Sequence, residues 1–333
     1  PVPTRRVTAT VVAASPSEAA SPAPAVPAAS ARTGTIAWAA YEPAVGGYTL
    51  YMLTADDRLH VIGNHFHQPD ISPDGQLIAA DGTGGGKGDI WALVIKTGEW
   101  RQLTTHLEDH YPNWSANGQK FGFSSSRQGD GVYRLYFDEK AVRADRAVDI
   151  IGDYPILLWT GEWVFASCDY GWGTGTRCGT WRVTPGGIPQ RLTDNPLDVP
   201  TDANTAVVLF LRPEGDNWDI YRVGTSGGAP VPLFASPGRD GPAALSPDGK
   251  SVVFLSDRSG SWALYTASLQ GGDAQKILDM PTGVNPDRAP HPWWTERISW
   301  GPGPMSATAT ATPVGVPLLP APAIVFPIPE DTV

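Results

Sequence analysis

The chain has little cysteine, little charge and no long apolar run. Cys168 and Cys178 are its only two cysteines in 333 residues, ten positions apart in SCDYGWGTGTRCGT. That stretch lacks the further ligands and the C-x-x-C spacing of a cysteine metal site. It suits a loop closed at its base by a disulfide, with two free buried thiols as the alternative. Charged residues make up 17% of the chain, and the formal net charge of −10 is spread without a basic stripe. Nothing there would neutralise a phosphate backbone, so nucleic acid is not an expected partner. No run approaches the roughly 20 apolar residues that span a bilayer, and no secretory leader pattern is present. The glycines around Lys87 in DGTGGGKGD lack both the G-x-x-x-x-G-K-[ST] order and a following helix, so they read as a hairpin loop and not a phosphate cradle.

What the chain does have is glycine, proline and aromatic residues. Thirty-seven Gly and 33 Pro argue against long helices, while 41% hydrophobic residues allow a large core. A turn-rich, strand-rich protein is expected. Residues 1–33 are Pro, Ala, Ser and Thr with almost no large apolar side chain, which predicts a disordered linker. Residues 303–333 read as a similar tail, with an apolar AIVFPI that could stick to the folded body.

Between these ends the chain repeats. Ser-Pro-Asp-Gly at Ser72 returns at Ser246, each time followed by the same hydrophobic rhythm. A proline precedes each copy, at Pro69, Pro112, Pro155, Pro200, Pro242 and Pro292, with gaps of 43, 43, 45, 42 and 50 residues. Each copy runs from a short apolar stretch through a tight turn to a second strand such as LIAA or VVFL. A third strand carries Trp91, Tyr133, Trp181, Tyr221 or Tyr265, and a fourth follows a Gly-containing turn. Four strands in about 43 residues make one propeller blade.

TIAWAA, YTLYMLT and RLHVIG supply only the second to fourth strands of a first copy. HPWWTERISW near the C-terminus matches the start of a repeat, with Pro292 and Trp294 aligned to Pro112 and Trp114. It is therefore expected to donate the missing first strand and close the ring, which leaves no open edge. The predicted fold is an all-β, six-bladed propeller over residues 34–302, with RISW either starting a seventh blade or lying outside the ring.

The P-x-W-S-x-x-G and SPDG…GG…LT repeats resemble the TolB-like β-propeller repeat of bacterial envelope proteins, across about residues 34 to 300. The resemblance implies the fold. For function it is weak, since that family spans scaffolds, accessory domains and a few lyases.

Several residues are candidates for a site. Two places before each repeat proline stand His67, His110, Asp153, Asp198 and Asp240, expected at one mouth of the central channel. Two imidazoles and three carboxylates there could bind a divalent cation, with His67 and His110 as ligands; solvated channel groups are the plainer expectation. His65, alternating with His67 in HFH, would face the same ion if the segment is extended. Tyr170 and Trp172, set among glycines between the two cysteines, are expected on a rim loop as binding anchors. GTSGG at Ser226 has the form G-x-S-x-G but falls where other copies have a hairpin turn, so no nucleophile elbow is expected. No catalytic set stands out and no cofactor is expected apart from that cation. The expected protein is a monomeric extracytoplasmic binding or scaffolding module for a protein or peptide of the cell envelope. Its alternatives are a metal-dependent enzyme resembling oligogalacturonate lyase, and the sensor ectodomain of a protein tethered to the membrane outside this chain.

Overall fold

The computed structural model describes residues 32–303, apart from 83–88, 106–107, 116–117, 119, 126–130, 138–141, 147–151, 159, 169–176 and 235. Residues 1–31 of the predicted linker and 304–333 of the tail lie outside the described residues.

The protein is an all-β propeller built from four-stranded antiparallel sheets. Six such sheets are described, each listing its strands from the innermost outward. Sheet I holds Ile298–Gly301, Thr35–Glu42, Gly47–Leu53 and Leu59–Asn64; sheet II holds Phe66–Ile71, Leu77–Gly82, Asp89–Val94 and Glu99–Gln102. Sheet III holds His110–Trp114, Lys120–Ser125, Gly131–Phe137 and Val142–Arg146; sheet IV holds Asp153–Leu157, Trp163–Cys168, Cys178–Val183 and Gln190–Arg191. Sheet V holds Val199–Ala203, Val207–Glu214, Asn217–Gly224 and Val231–Pro232; sheet VI holds Asp240–Leu245, Ser251–Ser256, Ala263–Ser268 and Gln275–Asp279.

The repeated turn shows why the sequence folds this way. In the turn at Ser72, the Gly75 amide donates to the Ser72 carbonyl at 2.8 Å and the Ser72 hydroxyl donates to Asp74 at 2.6 Å. Gly75 sits at φ +68°, a left-handed conformation that favours glycine. The turn at Ser246 repeats these bonds at the same distances, with Gly249 also at +68°. Equal turns launch equal strands. The second strands are then buried on both faces: Ile78, Val164, Leu209, Phe210, Val253 and Phe254 are wholly inaccessible.

Successive innermost strands touch one another around a ring that returns from sheet VI to sheet I. The C-terminal strand closes it by pairing with the N-terminal one, Trp300 opposite Ile36 and Ile298 opposite Trp38. The aligned Pro292 and Trp294 are not in this strand, which corrects the sequence alignment. Pro292 caps a short 3-10 turn, and Trp294 stacks on Trp218 of sheet V at 4.7 Å. The closing strand is instead ISWG, the part of the segment that the proline alignment left over. Ile298 is buried and completes an apolar cluster with Trp38 and Tyr51, whereas two adjacent tryptophans after a proline favour a turn that spreads their rings over neighbouring sheets.

A girdle of side chains stitches the innermost strands together. Ser299 accepts from the Ile71 amide at 3.0 Å, and Asp70 accepts from that of Trp114. Asn113 accepts from the Leu157 amide and Asp202 from the Leu245 amide, both at 2.7 Å. Ile156 and Ala244 hold the equivalent places in sheets IV and VI and have no acceptor to offer. Asp202 makes up for Ile156 by accepting from the adjacent Ala203 amide with its other oxygen, at 2.7 Å. Inter-sheet amides that no neighbouring strand can reach are thereby satisfied.

Candidate functional site

Every innermost strand starts from the same face, called upper below, where the hairpins between second and third strands also turn. His67, His110, Asp153, Asp198 and Asp240 all lie at these strand starts, but the structure divides them. Each is governed by the second-strand residue within reach. His110 Nδ1 bonds Asp81 of sheet II, and Asp153 accepts from the Ser124 hydroxyl of sheet III. The corresponding residue for Asp198 is Ala166, which offers nothing, so Asp198 turns to Arg212 of its own sheet in a bidentate pair at 2.8 and 2.7 Å. Asp240 likewise accepts from Arg258 and Ser256. Both aspartates are buried and paired with arginines of their own sheets.

His65 is exposed while His67 is buried. With His65 at φ +63° the chain is not extended there, so the two rings do not share a face as alternation predicted. Ser226 lies in the hairpin turn expected of it, closed by the Gly227 amide on the Gly224 carbonyl at 2.9 Å.

Around His67 the structure gathers groups that the sequence reading did not single out. His67 Nδ1 meets Glu296 at 2.9 Å, and its Nε2 lies 3.4 Å from Asp81. Tyr48 stacks on the His67 ring at 4.7 Å, and the exposed His291 lies near both, 5.8 Å from His67 and 6.5 Å from Tyr48. Burial disfavours the charged imidazole, yet Glu296 and Asp81 outweigh it and push His67 up to about 10. Burial also works against the Asp81 charge, but His67 and His110 hold that carboxyl below its usual range. Glu296 had one available signal: it stands three residues before Ser299, as His67 stands before Asp70. The misplaced proline alignment hid it.

Beside this cluster a buried arginine crosses the lumen. Arg297, fixed to sheet I, reaches across the ring to donate to the Pro155 carbonyl at 2.9 Å and the Pro112 carbonyl at 3.5 Å. Its guanidinium lies 5.7 Å from the Tyr111 ring, and Tyr111 packs on Tyr154 at 4.5 Å. Gln68, Tyr111 and Tyr154 all have φ between 51° and 56°, a costly conformation for such residues that marks an over-determined backbone. Burial raises Asp70 to about 7 and Asp202 to about 6, even with Arg297 nearby. Among the described residues Arg297 and the Tyr111 and Tyr154 rings thus occupy the lumen beside the His67 cluster. Two buried atoms there, Asp81 Oδ1 and Arg297 Nε, make no hydrogen bond. Among the described residues no group of three or more His, Cys, Asp and Glu side chains is arranged to hold a metal ion.

Cys168 and Cys178 face each other at the upper end of sheet IV and are joined by a disulfide. Tyr170 and Trp172 belong to the loop it closes and lie outside the described residues. Exchanging both cysteines for serine should lower stability by about 2–3 kcal/mol, the entropy that so short a loop restores to the unfolded chain. Denaturant titration of the two proteins checks this, and equal midpoints would show that the bond constrains nothing.

The fold and site define a β-propeller whose lumen is crossed by a buried arginine, Arg297. Its repeats are similar to those of TolB-like propellers. A 56-residue stretch is 45% identical to the Tol-Pal system protein TolB of Bordetella pertussis, covering 16% of this chain and 13% of that protein. Another of 68 residues is 40% identical to the uncharacterized peptidase YuxL of Bacillus subtilis, covering 20% of this chain and 10% of that one. The chain thus spans only a small part of the curated relatives it matches. Among solved structures, TolB from Acinetobacter baumannii superposes with a TM-score of 0.64 at 19% identity, over 81% of this chain and 67% of the other. No family model matches the chain. Among the described residues no helix is long and apolar enough to cross a membrane.

Proposed function

We propose that the six sheets form one closed six-bladed propeller, flanked by linkers at 1–33 and 303–333. It acts outside the cytoplasm as a monomeric module that binds a protein or peptide of the cell envelope. The partner seats on the upper face, over the channel mouth and against the rim loop that carries Tyr170 and Trp172. The observation that supports this reading is the buried polar cluster at the innermost-strand starts, where His67 bridges Glu296 and Asp81 and Arg297 crosses the lumen. Polar groups at the channel mouth would supply directional contacts, and in this proposal Tyr170 and Trp172 would supply the apolar anchors that partner surfaces use.

The double variant Tyr170→Ala, Trp172→Ala tests it. Captured from a bacterial envelope extract, the wild type should retain a partner that the variant loses, while both melt at the same temperature. Equal recovery by the two proteins would remove the rim loop from the proposal.

A further inference from the structure

The outermost strand of a propeller sheet leaves a row of backbone amides and carbonyls unpaired, and natural edges of this kind are blunted by charge or by proline. Among the described outermost strands, those of sheets II to VI follow that rule, carrying Glu99, Arg143, Arg191, Pro232 and Lys276 in turn. Leu59–Asn64 of sheet I holds no Lys, Arg, Asp, Glu or Pro, and at six residues it is the longest of them. Its Leu59 is 39% exposed and its Val61 62%. The backbone of these two residues is open as well. The Thr54 amide donates to the Arg58 carbonyl at 3.0 Å, so antiparallel alternation assigns the next exchange of bonds to Met52 and His60. Leu59 and Val61 fall between, opposite Leu53 and Tyr51, and their amides and carbonyls point away from the sheet. Open backbone and apolar side chains are therefore presented by the same residues, on the face where Leu53 and Tyr51 meet Ile277 and Met280 of the sheet VI side.

What pairs with such an edge is an extended, uncharged segment with free amides and apolar side chains. The chain holds one. Residues 323–326, Ala-Ile-Val-Phe, combine β-branched and aromatic side chains and are bounded by Pro322 and Pro327, which cannot donate to a ladder. The tether to them is long enough. Pro302 and Gly303 pass the tight turn of sheet II, where a Cβ on Gly75 would meet the Pro302 carbonyl at 2.6 Å. That turn and the hairpin leading into Leu59 both lie on the lower face, opposite the innermost-strand starts. Crossing sheet I from its innermost to its outermost strand takes about 15 Å at the usual strand spacing, while residues 304–322 extend to about 60 Å. A tether also holds the segment at an effective concentration on the order of mM, so a short ladder too weak to form from solution can form within one chain. We propose that residues 323–326 add to the outer edge of sheet I as a fifth strand, exchanging backbone hydrogen bonds with Leu59 and Val61 and laying alternate side chains against theirs.

Hydrogen exchange of the full chain, followed amide by amide with NMR, provides the test. In the wild type the Leu59 and Val61 amides should exchange about tenfold or more slowly than in the double variant Ile324→Asp, Val325→Asp, which sets a charge on each face of the added strand. The His60 amide, bonded within the sheet in both proteins, should exchange alike in the two. Val61→Asp, which charges the edge instead of the segment, should give the Leu59 amide the same faster exchange. Equal exchange at Leu59 and Val61 in the wild type and the double variant overturns the proposal. Protection that disappears on dilution overturns it as well, because the edge would then be covered by a second copy of the chain.

Discussion

Replacing Arg297 by leucine should destabilise the propeller by about 3–5 kcal/mol, the usual cost of removing one member of a buried charge set. Arg297 is 4% exposed and is held in the lumen by two carbonyls from the opposite side of the ring. Leucine removes both donors and leaves the buried carboxylates of Asp70, Asp153 and Asp202 without the cation that acts on each. The loss should depend on pH. Near pH 5 Asp70 and Asp202, raised to about 7 and about 6, are largely protonated and need no counter-charge. Near pH 8 they are ionised, so the variant should fall furthest below the wild type there. Lysine in place of arginine should recover part of the alkaline loss, since it keeps the charge but cannot reach both carbonyls at once. Urea titrations at the two pH values measure this, and a leucine variant with the wild-type midpoint at pH 8 would show that the lumen charge holds nothing together.

The second large effect belongs to His67. Its folded value of about 10 lies above the ordinary imidazole value of 6.5. Below pH 6.5 both the folded and unfolded chains carry this proton, and the ion-pair stabilisation is fully present. As pH rises from there through 10 the unfolded chain gives up the proton first, and the stabilisation is lost. Buried as His67 is, the loss should amount to about 3–5 kcal/mol between pH 6 and 10. Asp81 acts in the opposite direction. Its folded value is depressed, so its contribution is present above the ordinary carboxylate range and disappears in stronger acid. The raised Asp70 and Asp202 add a cost that grows as pH climbs from about 4 to 7. Together these groups place maximum stability in acid, at about pH 4, near the ordinary carboxylate value. In His67→Gln the limb between pH 6.5 and 10 should flatten to about 1 kcal/mol or less. A wild type equally stable at pH 6 and pH 10 would contradict the ion-paired state of this imidazole.

The strand-level reading of the sequence and the structure agree where the information is local. The SPDG turns, the buried second strands and the aromatic third strands lie where their residue types require, because turn geometry and burial pattern act over a few neighbours. The site is different. His67 and Glu296 are 229 positions apart, and Arg297 reaches carbonyls 142 and 185 positions away. No periodicity encodes which of these meet. The five strand-start residues looked equivalent in sequence, yet Asp198 and Asp240 pair with Arg212 and Arg258 while His110 and Asp153 bond to Asp81 and Ser124. Their fate depended on whether the second strand next to them offered Asp81, Ser124 or Ala166.

By itself the amino-acid sequence determined the repeat, the four-strand unit, the tight turns and the disulfide pair, all of which follow from spacing and short-range sterics. Only the tertiary structure decided that ISWG and not the proline-led segment closes the ring, that the lumen is crossed by Arg297, and that an imidazole sits between two carboxylates at its mouth. Those outcomes depend on packing and charge between residues brought together by ring closure, and such contacts leave no local pattern along the chain.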